Sequence, residues 1–459
     1  MKSSRLFFLA VALLLAPLTA VAVPATMRLD YYHTGDSTHE MFSLDRIAIE
    51  PLPWPGNLRR TIDETNSGKY MFEVRDRGTN RLLYSRGFSS IYGEWETTDE
   101  PKHMSRTFSE SLRFPAPDAP VQIVLKKRAH DNSFREVWST VVDPKDKFID
   151  TSHPVAPAPL ITIEKNGEPA KKVDFLIIGD GYSAAQEGKC EKDAHRLTDI
   201  LFSTSPYKER RKDFNVWLLC PPAAESGISR PSTGVHRRNP VGSTYDAFDS
   251  ERYVLTFDNR AFREIAQFAP YEFVEILVNG NTYGGGGIFG LYSTVAADSM
   301  WAPYIFVHEF GHHFADLADE YYTSDVAYLP PERRVEPYEP NVTALLDPAD
   351  LKWKDLVQPG TPVPTPWDKA KFEASLMRFF YVAARYERRT ARRKTWMRCS
   401  PKPRKASTRS SMLRSMQVKS ERSKARTIRP RAITARRWTA SCSRARTTSA
   451  QCARGRLRG

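Results

Sequence analysis

Outside its first 22 residues the sequence has no apolar window approaching the ~18 residues a spanning helix needs, which excludes a transmembrane helix in the mature chain. Cysteine is sparse, 5 in 459 residues. Two, Cys190 and Cys220, lie in the body, where pairing and buried free thiols are equal alternatives. The others, Cys399, Cys442 and Cys452, lack metal-ligand spacing. No cysteine follows the N-terminal apolar run, which argues against a lipoprotein anchor. Acidic residues are nearly missing from one stretch: Arg385 to Gly459 holds 25 Lys or Arg against 2 Asp or Glu. The remaining 384 residues hold 43 basic and 52 acidic side chains, so the net +14 belongs to the tail and the body is mildly acidic. A nucleic-acid-binding body is thereby excluded. The run Gly284-Gly285-Gly286-Gly287 lacks the Gly-Lys-Ser/Thr of a phosphate cradle and the spacing of a dinucleotide fingerprint. Such a run instead lets another backbone approach closely, as an extended substrate would.

What is present begins with an address. Lys2 and Arg5 precede an apolar run from Leu6 to Leu15, and Ala20-Val21-Ala22 supplies a small-x-small cleavage pattern. Residues 1–22 read as a signal peptide, so the protein is expected to be secreted or periplasmic, with no membrane anchor. Residues 23–153 read as β-rich. Short alternating runs such as Lys69 to Val74 and Val121 to Leu125 are separated by turn clusters like Arg77-Gly78-Thr79-Asn80, which predicts a β-sandwich. A proline-rich linker occupies 154–160. From Ile161 buried strands, Val173 to Gly181, Phe214 to Leu219 and Phe273 to Val278, alternate with helical spacing such as Ala184 to Ser203. That predicts an α/β domain over 161–375. Glu225 to Arg252 is a long polar loop within it, of a length often functional. Residues 376–459 are too basic and too poor in aliphatic side chains to pack, and read as an unstructured tail.

Chemistry concentrates between Pro303 and Tyr322. Three of the ten histidines fall within six residues, His308, His312 and His313. Pro303 suits a first helical turn, and Val307, Phe310, Phe314 and Leu317 make a core-facing stripe. His308 and His312 are one turn apart, so their imidazoles can close on one metal ion, and Glu309 is placed to take a proton from activated water. This spacing predicts one Zn2+ per chain. His313 points off the ligand face and suits a supporting or surface role. A tetrahedral zinc needs a further protein ligand, for which Asp319 is the leading candidate and Glu320 the neighbour that could serve instead. On a straight helix Asp319 would lie about 10 Å beyond His312, so the helix must end near Ala315 to Asp316 and turn back. Tyr321 and Tyr322 are candidate donors to an oxyanion.

At these residues the chain resembles the bacterial IgA-peptidase family of zinc metalloendopeptidases. The resemblance lies in His308-Glu309-Phe310-Gly311-His312 with Asp319-Glu320-Tyr321, in Gly179-Asp180-Gly181-Tyr182, Arg230-Pro231-Ser232-Thr233, Leu351-Lys352-Trp353-Lys354 and, in the front half, Gly93-Glu94-Trp95-Glu96. It runs from about Met27 to Glu373. It implies a family-type N-terminal β domain before a metzincin-like catalytic domain, with His308 and His312 as metal ligands, Asp319 as the third and Glu309 as base. The implied partner is a polypeptide substrate; cleavage of immunoglobulin A itself does not carry over. Beyond about Ala374 the resemblance stops. Shifting the reading frame by two bases lets Gln417–Arg426, Trp438–Ser443 and Thr448–Cys452 encode segments similar to the family's C-terminal part, which points to a frameshift. The family's methionine turn would lie in that lost segment. The rival reading is therefore a non-catalytic secreted binding protein, a relic of a peptidase.

Overall fold

The computed structural model describes residues 23–152, 154–320, 335–375, 377 and 378. The expected signal peptide and almost all of the basic tail lie outside the described residues, as do Tyr321 and Tyr322. The chain divides into two compact units, one comprising Met1–Ala318 with Pro330–Ala344, the other Asp319–Leu329 with Leu345–Gly459.

The first unit opens with seven antiparallel strands: β1 (Ala25–Gly35), β2 (Glu40–Pro53), β3 (Tyr70–Asp76), β4 (Leu82–Phe88), β5 (Arg106–Pro115), β6 (Val121–Arg128) and β7 (Phe134–Val142). They form sheets ordered β2-β1-β5 and β4-β3-β6-β7. Period-2 alternation aims one face of each inward: Phe108, Leu112 and Phe114 from β5 are buried, as are Phe72 and Val74 from β3 and Ile123 and Leu125 from β6. Residues from both sheets share one apolar cluster, which makes the region a sandwich. One helical turn that the strand pattern does not announce, α1 (Ile91–Trp95), is capped by Ser90, whose side chain accepts from the Gly93 N–H.

The α/β part holds β8 (Ile161–Glu164), β9 (Val173–Asp180), α2 (Glu187–Leu201), α3 (Tyr207–Arg210), β10 (Phe214–Leu219), β11 (Ser243–Thr244), β12 (Leu255–Thr256), α4 (Asn259–Ala266), β13 (Phe273–Val278), β14 (Gly285–Ile288), β15 (Tyr292–Ala296) and α5 (Ala302–Ala315). Six strands form one sheet in the order β14-β15-β13-β9-β10-β8. The four central strands are parallel, and β14 and β8 run antiparallel at its edges. Central strands covered on both faces read as continuous apolar runs, and Phe175 to Ile178 are indeed fully buried. Phe175 and Ile177 pack toward α2 and α5, whereas Leu176 and Ile178 pack toward α4. Cys190 and Cys220 form a disulfide, joining α2 to the residue after β10.

The sandwich and the α/β sheet are one compact body. Ile91, Trp95 and Phe108 join Val254, Phe262 and Tyr292 in a single apolar cluster, so the proline-rich segment connects two sheet systems that share a core. The polar stretch Glu225 to Arg252 is anchored by buried Asp180 at the end of β9. Its carboxylate accepts from the backbone N–H of Val241 (3.1 Å) and Ser243 (3.0 Å) and from the Asn239 side chain.

In the second unit the described residues form 3-10 turns at Pro348–Asp350 and Lys354–Leu356 and a short helix over 369–375. Trp367 and Phe372 meet edge to face there, 5.4 Å apart.

Candidate metal centre

Helix α5 starts with Pro303 in its first turn, where a missing N–H costs nothing. Its buried face is Ala302, Ile305, Phe306, Phe310 and His313. Of the expected stripe, Phe310 is fully buried and Val307 and Phe314, partly buried, pack against the same core, whereas Leu317 lies beyond the helix end. The helix ends at Ala315, and Asp316 takes a left-handed conformation (φ 55°, ψ 36°) that an L residue other than Gly, Asn or Asp seldom adopts. The required stop and reversal is thus present. It is reinforced from the sandwich, where the Gly68 N–H donates to Asp316 Oδ2 at 2.6 Å. Burial pushes the Asp316 carboxyl up to about 6.

His308 and His312 face the same side, half-buried, with Nε2 atoms 3.1 Å apart. Two nitrogens bound tetrahedrally to zinc at ~2.0–2.1 Å stand about 3.3 Å from each other, so the pair is already near the spacing that ion demands. His312 Nδ1 is in hydrogen-bond contact with the Leu317 carbonyl oxygen. A carbonyl can only accept, so Nδ1 carries the proton and Nε2 presents its lone pair. Such an outer bond fixes both tautomer and ring orientation of a metal-binding histidine. The His308 ring stacks on Tyr304, centroids 5.4 Å apart. Glu309 completes the group: ligand atoms of His308, Glu309 and His312 all lie within 4.8 Å of one another. Asp319, half-buried, and Glu320, exposed, follow the turn as part of the second unit and are not members of this group.

Under the helix lies the glycine run, now strand β14. A Cβ on Gly287 would stand 2.4 Å from the Glu309 carbonyl oxygen and 3.0 Å from His312 Cβ, and one on Gly285 would be 2.5 Å from Ile305 Cγ2. The close approach inferred from sequence is real, but the approaching backbone is the protein's own metal helix. On the outer edge Gly285 exchanges hydrogen bonds with the Arg252 carbonyl and the Val254 N–H, both 3.2 Å.

Two buried ionisable residues, His313 and Glu275, lie beside this group. His313 is fully buried, which corrects the supporting-or-surface expectation in one respect: it is a core anchor. Its Nδ1–H donates to the Ile288 carbonyl at 3.0 Å and its Nε2 accepts from the Val274 N–H at 3.0 Å, tying α5 to β13 and β14. Only the neutral ring satisfies both bonds, and burial drives its pKa down to about 3. The second, Glu275 on β13, is fully buried and bonded by the Ser293 hydroxyl; burial raises its pKa far above the carboxylate range, with the Glu309 charge adding to the effect. A central strand covered on both faces places it inside, but nothing local marks a carboxyl whose pKa is raised.

His313 supplies a pH prediction. Its folded pKa lies below the ordinary 6.5, so the unfolded chain binds the extra proton between about pH 6.5 and 3. Stability from this site is complete above pH 6.5 and falls by about 1.4 kcal/mol per pH unit below it. Asp316 opposes this between about 3.8 and 6, where its folded form holds the proton, so the comparison must isolate the site. The free-energy advantage of the parent over His313→Gln should shrink at that slope from pH 6.5 to 5 in urea titrations. An advantage constant with pH would show that His313 is protonated when buried.

With this geometry, the comparisons are decisive. The chain matches the IgA Peptidase M64 family over residues 161–415 and the Peptidase M64 N-terminus over residues 19–139. The chain belongs to the IgA peptidase M64 family. No curated protein matches it. The family match extends past Ala374, where resemblance was expected to stop, and past the described residues. The His308, Glu309 and His312 cluster lies within the matched M64 segment. Among the described residues of this M64 chain no helix is long and apolar enough to cross a membrane.

Proposed function

We propose that this M64 protein is an exported zinc endopeptidase in which Glu309 acts as general base. The observation that carries the reading is the convergence of the His308 and His312 Nε2 atoms, 3.1 Å apart, with Glu309 beside them. The donor set, two imidazoles with carboxylates nearby, suits zinc, and the Leu317 contact that leaves His312 Nε2 unprotonated supports it. Asp319 would be the third protein ligand in a metzincin-like arrangement, which the chain reversal at Asp316 supports. Zinc, when bound, would supply Lewis acidity to the scissile carbonyl and to the attacking water. Glu309 takes the proton that water loses and returns it to the departing amine nitrogen. The water's O–H is thus replaced by a C–O bond as the C–N bond breaks. Gly287, pressed on the helix at Glu309, fixes where that carboxylate emerges. The Cys190–Cys220 disulfide supports passage into an oxidising compartment.

Zinc content and peptidase activity, measured together on the purified chain, test the proposal. About one zinc with hydrolysis of a denatured protein substrate is expected; zinc without hydrolysis would favour the binding-protein reading. Asp319→Asn and Glu320→Gln should separate the ligand candidates. The Asp319 change is expected to weaken zinc affinity at least tenfold, about 1.4 kcal/mol, and the Glu320 change to leave it nearly intact. Equal, small effects in a competition titration would place the ligand elsewhere.

A further inference from the structure

Where the two sheet systems meet, strands β4 and β5 of the sandwich face α4 and the start of β13 across a cavity of about 90 Å3. Its walls are largely aromatic, with Trp54, Phe72, Phe88 and Phe108 among them. Charged groups with unused hydrogen-bonding capacity line this apolar space. Arg263 is 6% exposed; one guanidinium nitrogen donates to Tyr271 Oη at 3.2 Å, but its Nε is buried with no partner. Arg86 stays exposed within the cavity lining and makes no hydrogen bond or ion pair with any described residue. Tyr84 Oη likewise has no hydrogen-bond partner among the described residues.

The other cations and anions facing the space are committed elsewhere. Arg113 is held by Glu50 at 2.7 Å and the Tyr271 carbonyl at 3.0 Å. Glu110 is held by Tyr31 at 2.7 Å and His33 at 3.2 Å. Glu272 remains, and burial lifts its carboxyl to about 7 against the pull of Arg86. The Arg86 guanidinium therefore shares this space with one carboxyl, Glu272, whose pKa burial raises. Arg86, exposed to this space, keeps guanidinium donors available to an anion there.

We propose that this cavity binds a small aliphatic monocarboxylate, whose oxygens accept from Arg86 and Tyr84 Oη and whose alkyl tail lies against the aromatic wall. Size fits: at roughly 15 Å3 per water-sized position the space holds about six, the bulk of a ligand of four to six heavy atoms. The guanidinium fork matches a carboxylate's paired oxygens. An apolar lining with a few convergent polar groups is the composition of small-molecule sites generally. A dianion fits less well, because its second charge would face Glu272. The ligand, held by β4 and packed on the aromatic wall, would fill the space between the sandwich and the α/β sheet.

Thermal unfolding of the full chain in sodium chloride, with butyrate, acetate or inorganic phosphate exchanged in at constant ionic strength, tests this. Butyrate should raise Tm saturably, because a ligand bound only by the folded state stabilises it by mass action. Acetate should do so less, and phosphate no more than chloride. Because Arg86 makes no hydrogen bond or ion pair among the described residues, Arg86→Gln should leave Tm in chloride nearly unchanged. It should also weaken the butyrate response at least tenfold, and Tyr84→Phe, which removes the other donor, should weaken that response too. A purely structural arginine would instead lower Tm equally in every buffer. The proposal is overturned if butyrate gives no saturable rise, if Arg86→Gln keeps that rise, or if phosphate exceeds butyrate.

Discussion

Glu309→Gln protein is expected to keep its zinc and lose peptidase activity by about 10²- to 10⁴-fold, the range over which a positioned general base acts. The substitution keeps the size of the side chain and leaves the His308 and His312 pair, 3.1 Å apart, untouched. What disappears is the group that accepts a proton. His308→Ala and His312→Ala should behave differently, losing metal and activity together, because each removes one of the two nitrogens that define the site. In the His312 case the contact with the Leu317 carbonyl is lost as well, so the reversal after α5 also loosens. Elemental analysis and a fluorogenic peptide assay on the same preparations distinguish the two classes. A Gln variant that turned over at the parent rate would remove Glu309 from the chemistry, and a His308→Ala protein with full zinc would remove the histidine pair from the metal.

Gly287→Ala should be nearly as damaging, although it changes no ligand. The added carbon would meet the Glu309 carbonyl oxygen at 2.4 Å and the Glu309 carbonyl carbon at 3.1 Å, and these are backbone atoms that cannot rotate away. Relief requires lifting α5 from β14 at the turn that carries both histidines. A loss of about 1–3 kcal/mol in stability is expected from the overpacking, together with at least a tenfold loss of zinc affinity from displaced ligands. Gly188→Ala is the control: it lies in α2 with nothing within 4 Å of the new carbon, and should be neutral or gain at most about 1 kcal/mol. Zinc competition titrations and urea unfolding of both variants check this. If Gly287→Ala bound zinc as the parent does and unfolded at the same urea concentration, the glycine run would not be what seats the helix.

The sequence by itself determined the chemistry-bearing helix and most of the scaffold. His308 and His312 are four residues apart, and a helix brings that spacing to one face whatever surrounds it. Period-2 alternation marked strands such as β3 and β6, and continuous apolar runs marked β9, β10 and β13, because these patterns follow from local geometry and burial alone. Even the stop at Ala315 was legible, since a further ligand within reach of His308 demands a turn there. Only the tertiary structure decided the rest. It decided that Cys190 and Cys220 pair, because distance in space, which spacing does not encode, controls a disulfide. It decided that His313 is an anchor: its partners Ile288 and Val274 are 25 and 39 residues away. The backbone pressed on the glycines proved to be the metal helix, and a sandwich amide from Gly68, 248 residues before Asp316, secures the turn. Each of these depends on contacts between segments distant in the chain, and residue order fixes neighbours along a helix or strand but not which elements come to lie against one another.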